Sequence, residues 1–111
     1  MVNQILKQEI MQLEADFCAA LSDPTRIFIL YALNERSLNV TELTNELGLP
    51  QPTISRHLKV LRERGMVVPK RQGAVIQYTL ADDRLIQALD LLRAVMRDGL
   101  AKRAELVEAL A

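Results

Sequence analysis

Apolar positions along the chain change period in a way that marks its elements. Val2, Ile5, Leu6, Ile10, Leu13, Phe17 and Leu21 recur mostly at three- and four-residue steps, so residues 2–20 are predicted to form an amphipathic helix whose stripe needs a partner. Asp23 and Pro24 pair an N-cap acceptor with a ring of preset φ. From there Ile27, Leu30, Tyr31 and Leu33 carry a second helix to about Asn34. Asn39 and Glu42 have the spacing of a capping box, with Asn in place of Ser or Thr, and open a short third helix that ends at Leu47 and Gly48. Gly48, Leu49 and Pro50 make a turn. Pro52 then stands in the first turn of a fourth helix, over roughly residues 51–64, with Gly65 as its stop and Ile54, Leu58 and Leu61 on one face.

Past Gly65 the period becomes two. The runs MVVPK and AVIQYTL read as strands, and RQG between them offers a hairpin turn in which Gly73 is free to take positive φ. Asp82 or Asp83 caps a last helix along which Leu85, Leu89, Leu92, Val95, Met96 and Leu100 extend an apolar stripe, with Gly99 as the point where it bends or splits. The order of elements predicts a mainly α chain with one small β-hairpin, an α+β arrangement. At 111 residues it is expected to form a single domain over residues 1–111.

Composition removes several function classes. Half of the residues are hydrophobic and a quarter charged, which suits a globular chain and not a disordered one. No apolar run approaches the ~18 residues of a membrane span, and Lys7, Glu9, Glu14 and Asp16 spoil a signal peptide, so a cytoplasmic protein with no membrane partner is expected. A lone Cys18 fits a reducing compartment. No phosphate-cradling Gly loop, metal cluster or nucleophile-and-base pattern is present, which argues against an enzyme and against a cofactor.

Charge changes the picture more than composition does. The 14 basic and 14 acidic side chains cancel overall, yet residues 1–50 carry −4, residues 51–80 carry +5 and residues 81–111 carry −1. The basic middle coincides with a short helix, a Gly-containing turn and a second helix, the arrangement of a helix-turn-helix whose second helix fits a DNA major groove. With Ile54, Leu58 and Leu61 inward, 100° per residue places Pro52, Arg56, Lys59 and Glu63 opposite, Ser55 and Arg62 on one flank, and Thr53 and His57 on the other. Gln51, Thr53, Ser55 and Arg56, near the helix start, are candidates for reading base edges. Lys59, Arg62 and Arg64 suit phosphates, and Lys70, Arg71 and Gln72 extend the footprint to the hairpin. His57 either docks the helix by a local hydrogen bond or contacts DNA directly.

The segments ALSDPTRIFIL at residues 20–30, TELTNELGLPQPTISRHLKVLRERGMV at residues 41–67 and KRQGAVIQYTL at residues 70–80 resemble the ArsR/SmtB family of bacterial winged-helix repressors. Ser55, His57, Leu58 and Leu61 supply an S-x-H-L-x-x-L pattern, and Tyr78 and Leu80 a Y-x-L at the end of the wing. The resemblance implies a winged helix-turn-helix and a homodimer built from the first and last helices. Ile5, Leu6, Ile10, Leu13, Phe17, Leu89, Leu92 and Met96 would then form its interface. It also implies binding to a roughly palindromic double-stranded operator and release by an effector. The chain departs from the family's metal sensors: Asn39 and Thr41 stand where paired thiolates would be, and the last helix has no histidine. The effector implied is therefore not a metal at those places.

Cys18 lies beside the apolar face of the first helix and reads as a small hydrophobe, with a redox or sulfur sensor as the alternative. The competing reading of the whole chain is a protein-interaction or dimerisation module on a winged-helix scaffold that no longer binds DNA.

Overall fold

A computed structural model describes residues 3–111; Val2, where the first apolar stripe begins, lies outside them. Helix α1 (Gln4–Leu13) starts at Asn3, whose side chain accepts the Leu6 N–H at 2.8 Å. It runs on through a π-helical segment, Glu14–Cys18, which the apolar spacing did not announce. Helix α2 (Pro24–Glu35) opens as expected, with the Asp23 carboxylate accepting the Thr25 N–H at 2.8 Å.

The capping box of α3 (Val40–Leu47) is complete: Asn39 accepts the Glu42 N–H at 2.8 Å, and Glu42 accepts the Asn39 N–H at 2.9 Å. Two otherwise orphaned donors are thereby satisfied. Asn39→Ala removes one acceptor and frees the reciprocal partner, so thermal or urea unfolding is expected to show a loss of about 1 kcal/mol, the size of an N-cap deletion. A loss indistinguishable from that of a surface control would contradict this role.

Strands β1 (Val67–Gln72) and β2 (Val75–Leu80) pair antiparallel in the register Val67↔Leu80 to Gln72↔Val75. The turn is thus shorter than RQG suggests. Arg71 and Gln72 belong to the ladder, and only Gly73 and Ala74 close it, Gly73 at φ 64°. A two-residue loop needs that left-handed backbone, which glycine adopts without a Cβ clash. Leu38 adds a bridge to Tyr78, donating at 3.2 Å and accepting at 2.8 Å, so the hairpin is anchored to the segment between α2 and α3.

Helix α5 (Arg84–Leu110) is continuous through Gly99 and does not split there. At its start Asp82, not Asp83, is the acceptor, taking the Arg84 N–H at 2.8 Å and its guanidinium at 2.7 Å. The Arg84 guanidinium and then the backbone donor pull the Asp82 carboxyl down to about 2. That pairing is therefore intact at neutral pH and is lost as pH falls from the ordinary carboxylate range toward 2.

The core gathers Ile29, Leu30 and Leu33 of α2, Leu43 of α3, Ile54, Leu58 and Leu61 of α4 (Gln51–Glu63), Met66, Val67 and the first turns of α5 through Ile86 and Leu89. Leu89 is 7% exposed and packs within its own chain, which corrects its assignment to a subunit interface. The i, i+4 step that places Leu85 and Leu89 on the body leaves Leu92, Val95 and Met96 beyond its edge. Tyr31 joins α2 to α5, donating its hydroxyl to Asp90 at 2.6 Å beneath the Arg93 guanidinium. No helix among the described residues is long and apolar enough to cross a membrane.

Candidate nucleic-acid interface

Helices α3 and α4 are joined by Gly48, Leu49 and Pro50. Gly48 takes φ 67° as the C-cap of α3 and donates its N–H to Thr44 at 2.8 Å. Pro50, with extended backbone, serves as N-cap for α4, and Pro52 sits in its first turn, where a missing N–H costs nothing. Ile54 and Leu61 are fully buried and Leu58 nearly so, which fixes the roll of α4 about its axis.

That roll sets the outward face. Gln51, Pro52, Ser55, Arg56, Lys59, Arg62 and Glu63 are exposed, and Thr53 is half-buried at the rim. Among the described residues, Arg56, Lys59 and Arg62 form no ion pair. Three cations on one face therefore keep their full field toward solvent. Lys70, Arg71 and Gln72 are exposed on β1, paired with Gln77, Ile76 and Val75. Their side chains alternate between the two faces of the ribbon.

Two side chains assigned to DNA stand elsewhere. His57 is 6% exposed and faces α2, with Nδ1 3.1 Å from the Arg26 guanidinium and Nε2 3.9 Å from the Asp23 carboxylate. It docks the helix and does not reach outward; one position along α4 turns a side chain 100°, enough to carry a flank residue inside. Arg64 donates to Asp16 at 3.1 Å and so ties the end of α4 to the π-helical segment of α1. Its side chain is exposed and its charge partly matched. Cys18, expected to pack as a small hydrophobe, is exposed.

Sequence reasoning missed Arg26. Its guanidinium donates through Nε to the Ala20 carbonyl at 2.6 Å and through Nη1 toward His57, a position with no signal in hydrophobic period or charge clustering.

Residues 23–68 match the model of the family described as bacterial regulatory protein, arsR family. An HTH-type transcriptional regulator of Mycobacterium tuberculosis, Rv0081, is 34% identical over 104 residues, covering 93% of this chain and 91% of that one. The chain belongs to the ArsR family. The crystal structure of Rv0081 superposes with a TM-score of 0.76 over 86% of this chain and 96% of its own, at 34% identity. The HTH-type transcriptional repressor SmtB of M. tuberculosis is 40% identical over 78 residues, which cover 70% of this chain and 58% of the repressor's length. The match to this family of regulators spans the N-cap of α2 to the start of β1, and the Rv0081 superposition extends the shared winged helix-turn-helix well beyond it.

Proposed function

We propose that this ArsR-family chain is a sequence-specific DNA-binding repressor that acts as a homodimer in the cytoplasm. The observation that carries the DNA reading is the unpaired Arg56, Lys59 and Arg62 on the exposed face of α4, beside Lys70 and Arg71 on β1. An α-helix fills a major groove, and such a row of cations is matched by phosphates. Gln51, Thr53, Ser55 and Arg56, at the start of α4, are the proposed base-reading set. Lys59, Arg62, Lys70, Arg71 and Gln72 are the proposed backbone set.

The homodimer rests on a second observation. Ile5, Leu6, Ile10 and Leu13 on α1, and Leu92, Val95 and Met96 on α5, are all exposed, Ile5 by 70% and Leu92 by 63%. Apolar surface on this scale marks an association site. A second copy of the chain suits it, because a two-fold axis would present two copies of α4 to a roughly palindromic operator. Phe17 is half-buried against its own core and would border this surface. The proposed effector is not a metal at the family's usual places, since the Asn39 side chain is occupied in capping α3 and the only histidine is His57.

The test is a titration of the DNA upstream of the protein's own gene at several salt concentrations. Log affinity is expected to fall linearly with log salt, with a slope of about −0.9 per phosphate neutralised. Arg56→Ala is expected to cut preference for the operator over random DNA by about 1–3 kcal/mol, whereas Arg71→Ala weakens both and flattens the slope by about one phosphate. An unshifted probe at low salt would instead indicate a protein-interaction module. Equal losses on both DNAs for both variants would remove the division between reading and gripping.

A further inference from the structure

Arg26 occupies a junction that the DNA-binding face does not explain. It is half-buried at the start of α2, and its one guanidinium spans two other elements. Nε donates to the carbonyl of Ala20, at 2.6 Å, in the last turn of the helix whose exposed stripe is the proposed dimer surface. Nη1 lies 3.1 Å from Nδ1 of His57, in the middle of α4. Ala20 is 1% exposed and His57 is 6% exposed, so both acceptors are shielded from water, which therefore competes weakly for these hydrogen bonds.

The chemistry fixes the state of the imidazole. A guanidinium only donates and does not deprotonate, so Nδ1 must offer a lone pair, which leaves the single ring proton on Nε2. That proton faces the Asp23 carboxylate at 3.9 Å, while Asp23 is itself held by the Thr25 N–H at 2.8 Å. A second proton on Nδ1 would point into the guanidinium, placing two cations at hydrogen-bond distance.

We propose that Arg26 is a positioning residue for DNA binding: by way of neutral His57 it fastens the recognition helix to the end of the dimer helix, and protonation of His57 undoes the fastening. The inference rests on the DNA-binding reading above. Its consequence is that the angle between the two copies of α4 is set through α1, Arg26 and His57, and that the operator is released on acidification. Burial, and then Arg26 and Arg56, hold the imidazole below its ordinary value against the opposing pull of Asp23. These are the charged groups that face it from α2 and α4. The fastening is thus complete at and above neutral pH, and is lost as pH falls through the lowered value.

The chain contains one histidine, so its imidazole resonances report this site in the intact protein without any variant. The expected spectrum is that of the Nε2–H tautomer, with a titration midpoint below the unperturbed ~6.5. Arg26→Met is expected to raise the midpoint and mix the tautomers. At pH 8 it also lowers operator affinity by roughly tenfold, the scale of one lost charge-assisted hydrogen bond. His57→Asn places an amide oxygen near the position of Nδ1 but does not titrate. Having no titrating group, it is expected to keep whatever affinity it shows at pH 8 as pH falls through the midpoint that the wild-type resonances report, where wild type weakens by roughly tenfold. A wild-type midpoint at or above 6.5 with mixed tautomers overturns the proposal, even should Arg26→Met fail to fold. So does an identical pH dependence in wild type and His57→Asn. Absence of operator binding by wild type at pH 8 sinks the DNA-binding reading instead, and is recognised as such because the tautomer and its response to Arg26→Met are then unchanged.

Discussion

Leu92→Asp is expected to turn the protein into a monomer and to lower its affinity for a full operator by roughly 10²–10⁴-fold, the range in which a second tethered contact raises avidity. Leu92 is 63% exposed in the single chain, so the aspartate is solvated there and the fold is undisturbed. In the proposed dimer the same carboxylate would lie, with exposed Val95 and Met96, against the partner's apolar stripe, where an unpaired charge is strongly disfavoured. Sedimentation combined with titrations on full and half operators measures both consequences. The variant should bind a half-site about as tightly as wild type does, because α4 lies outside the change. A variant that sediments as a dimer, or a monomer that holds the full operator as tightly as wild type, would contradict the two-fold arrangement.

Leu58→Ala is expected to cost about 2–5 kcal/mol in urea unfolding, the range for a large-to-small change in a close-packed core. Leu58 is 1% exposed on the inner face of α4, which packs against α2, α3 and β1. Few neighbours on so short a helix are free to collapse into the void. Against a typical domain stability of about 5–15 kcal/mol, the loss is a large fraction of the whole. Lys59→Ala, one residue along and exposed, is the contrasting control, with an expected change within about 0.5 kcal/mol in stability but weaker binding to all DNA. Similar unfolding midpoints for the two variants would show that the roll of α4 is not set by its apolar face.

The recognition helix shows what period and caps specify. Ile54, Leu58 and Leu61 at i, i+4 and i+7, Pro52 in the first turn and Gly65 after the last placed α4 within a residue of its observed Gln51–Glu63. The face carrying Arg56, Lys59 and Arg62 followed from geometry alone. Asn39, Asp23 and Gly48 cap where they were expected to, because each acts through hydrogen bonds to backbone within four residues. Such interactions are local, and local interactions are legible in order of residues.

The misses among the site residues share one cause. Leu89 and Leu92 lie on the same apolar stripe, and only the crossing of α5 over the body divides them into core and exposed surface. His57 and Arg64 have the residue type and position of DNA contacts, yet Arg26, 31 residues upstream of His57, and Asp16, 48 residues upstream of Arg64, hold them. The sequence by itself determined the helices, the hairpin, their caps and the basic face, since those depend on neighbours along the chain. Which cations stay free and which serve as clamps was decided only when the tertiary structure brought distant side chains to hydrogen-bond distance, for that choice depends on separation in space, which residue spacing does not encode.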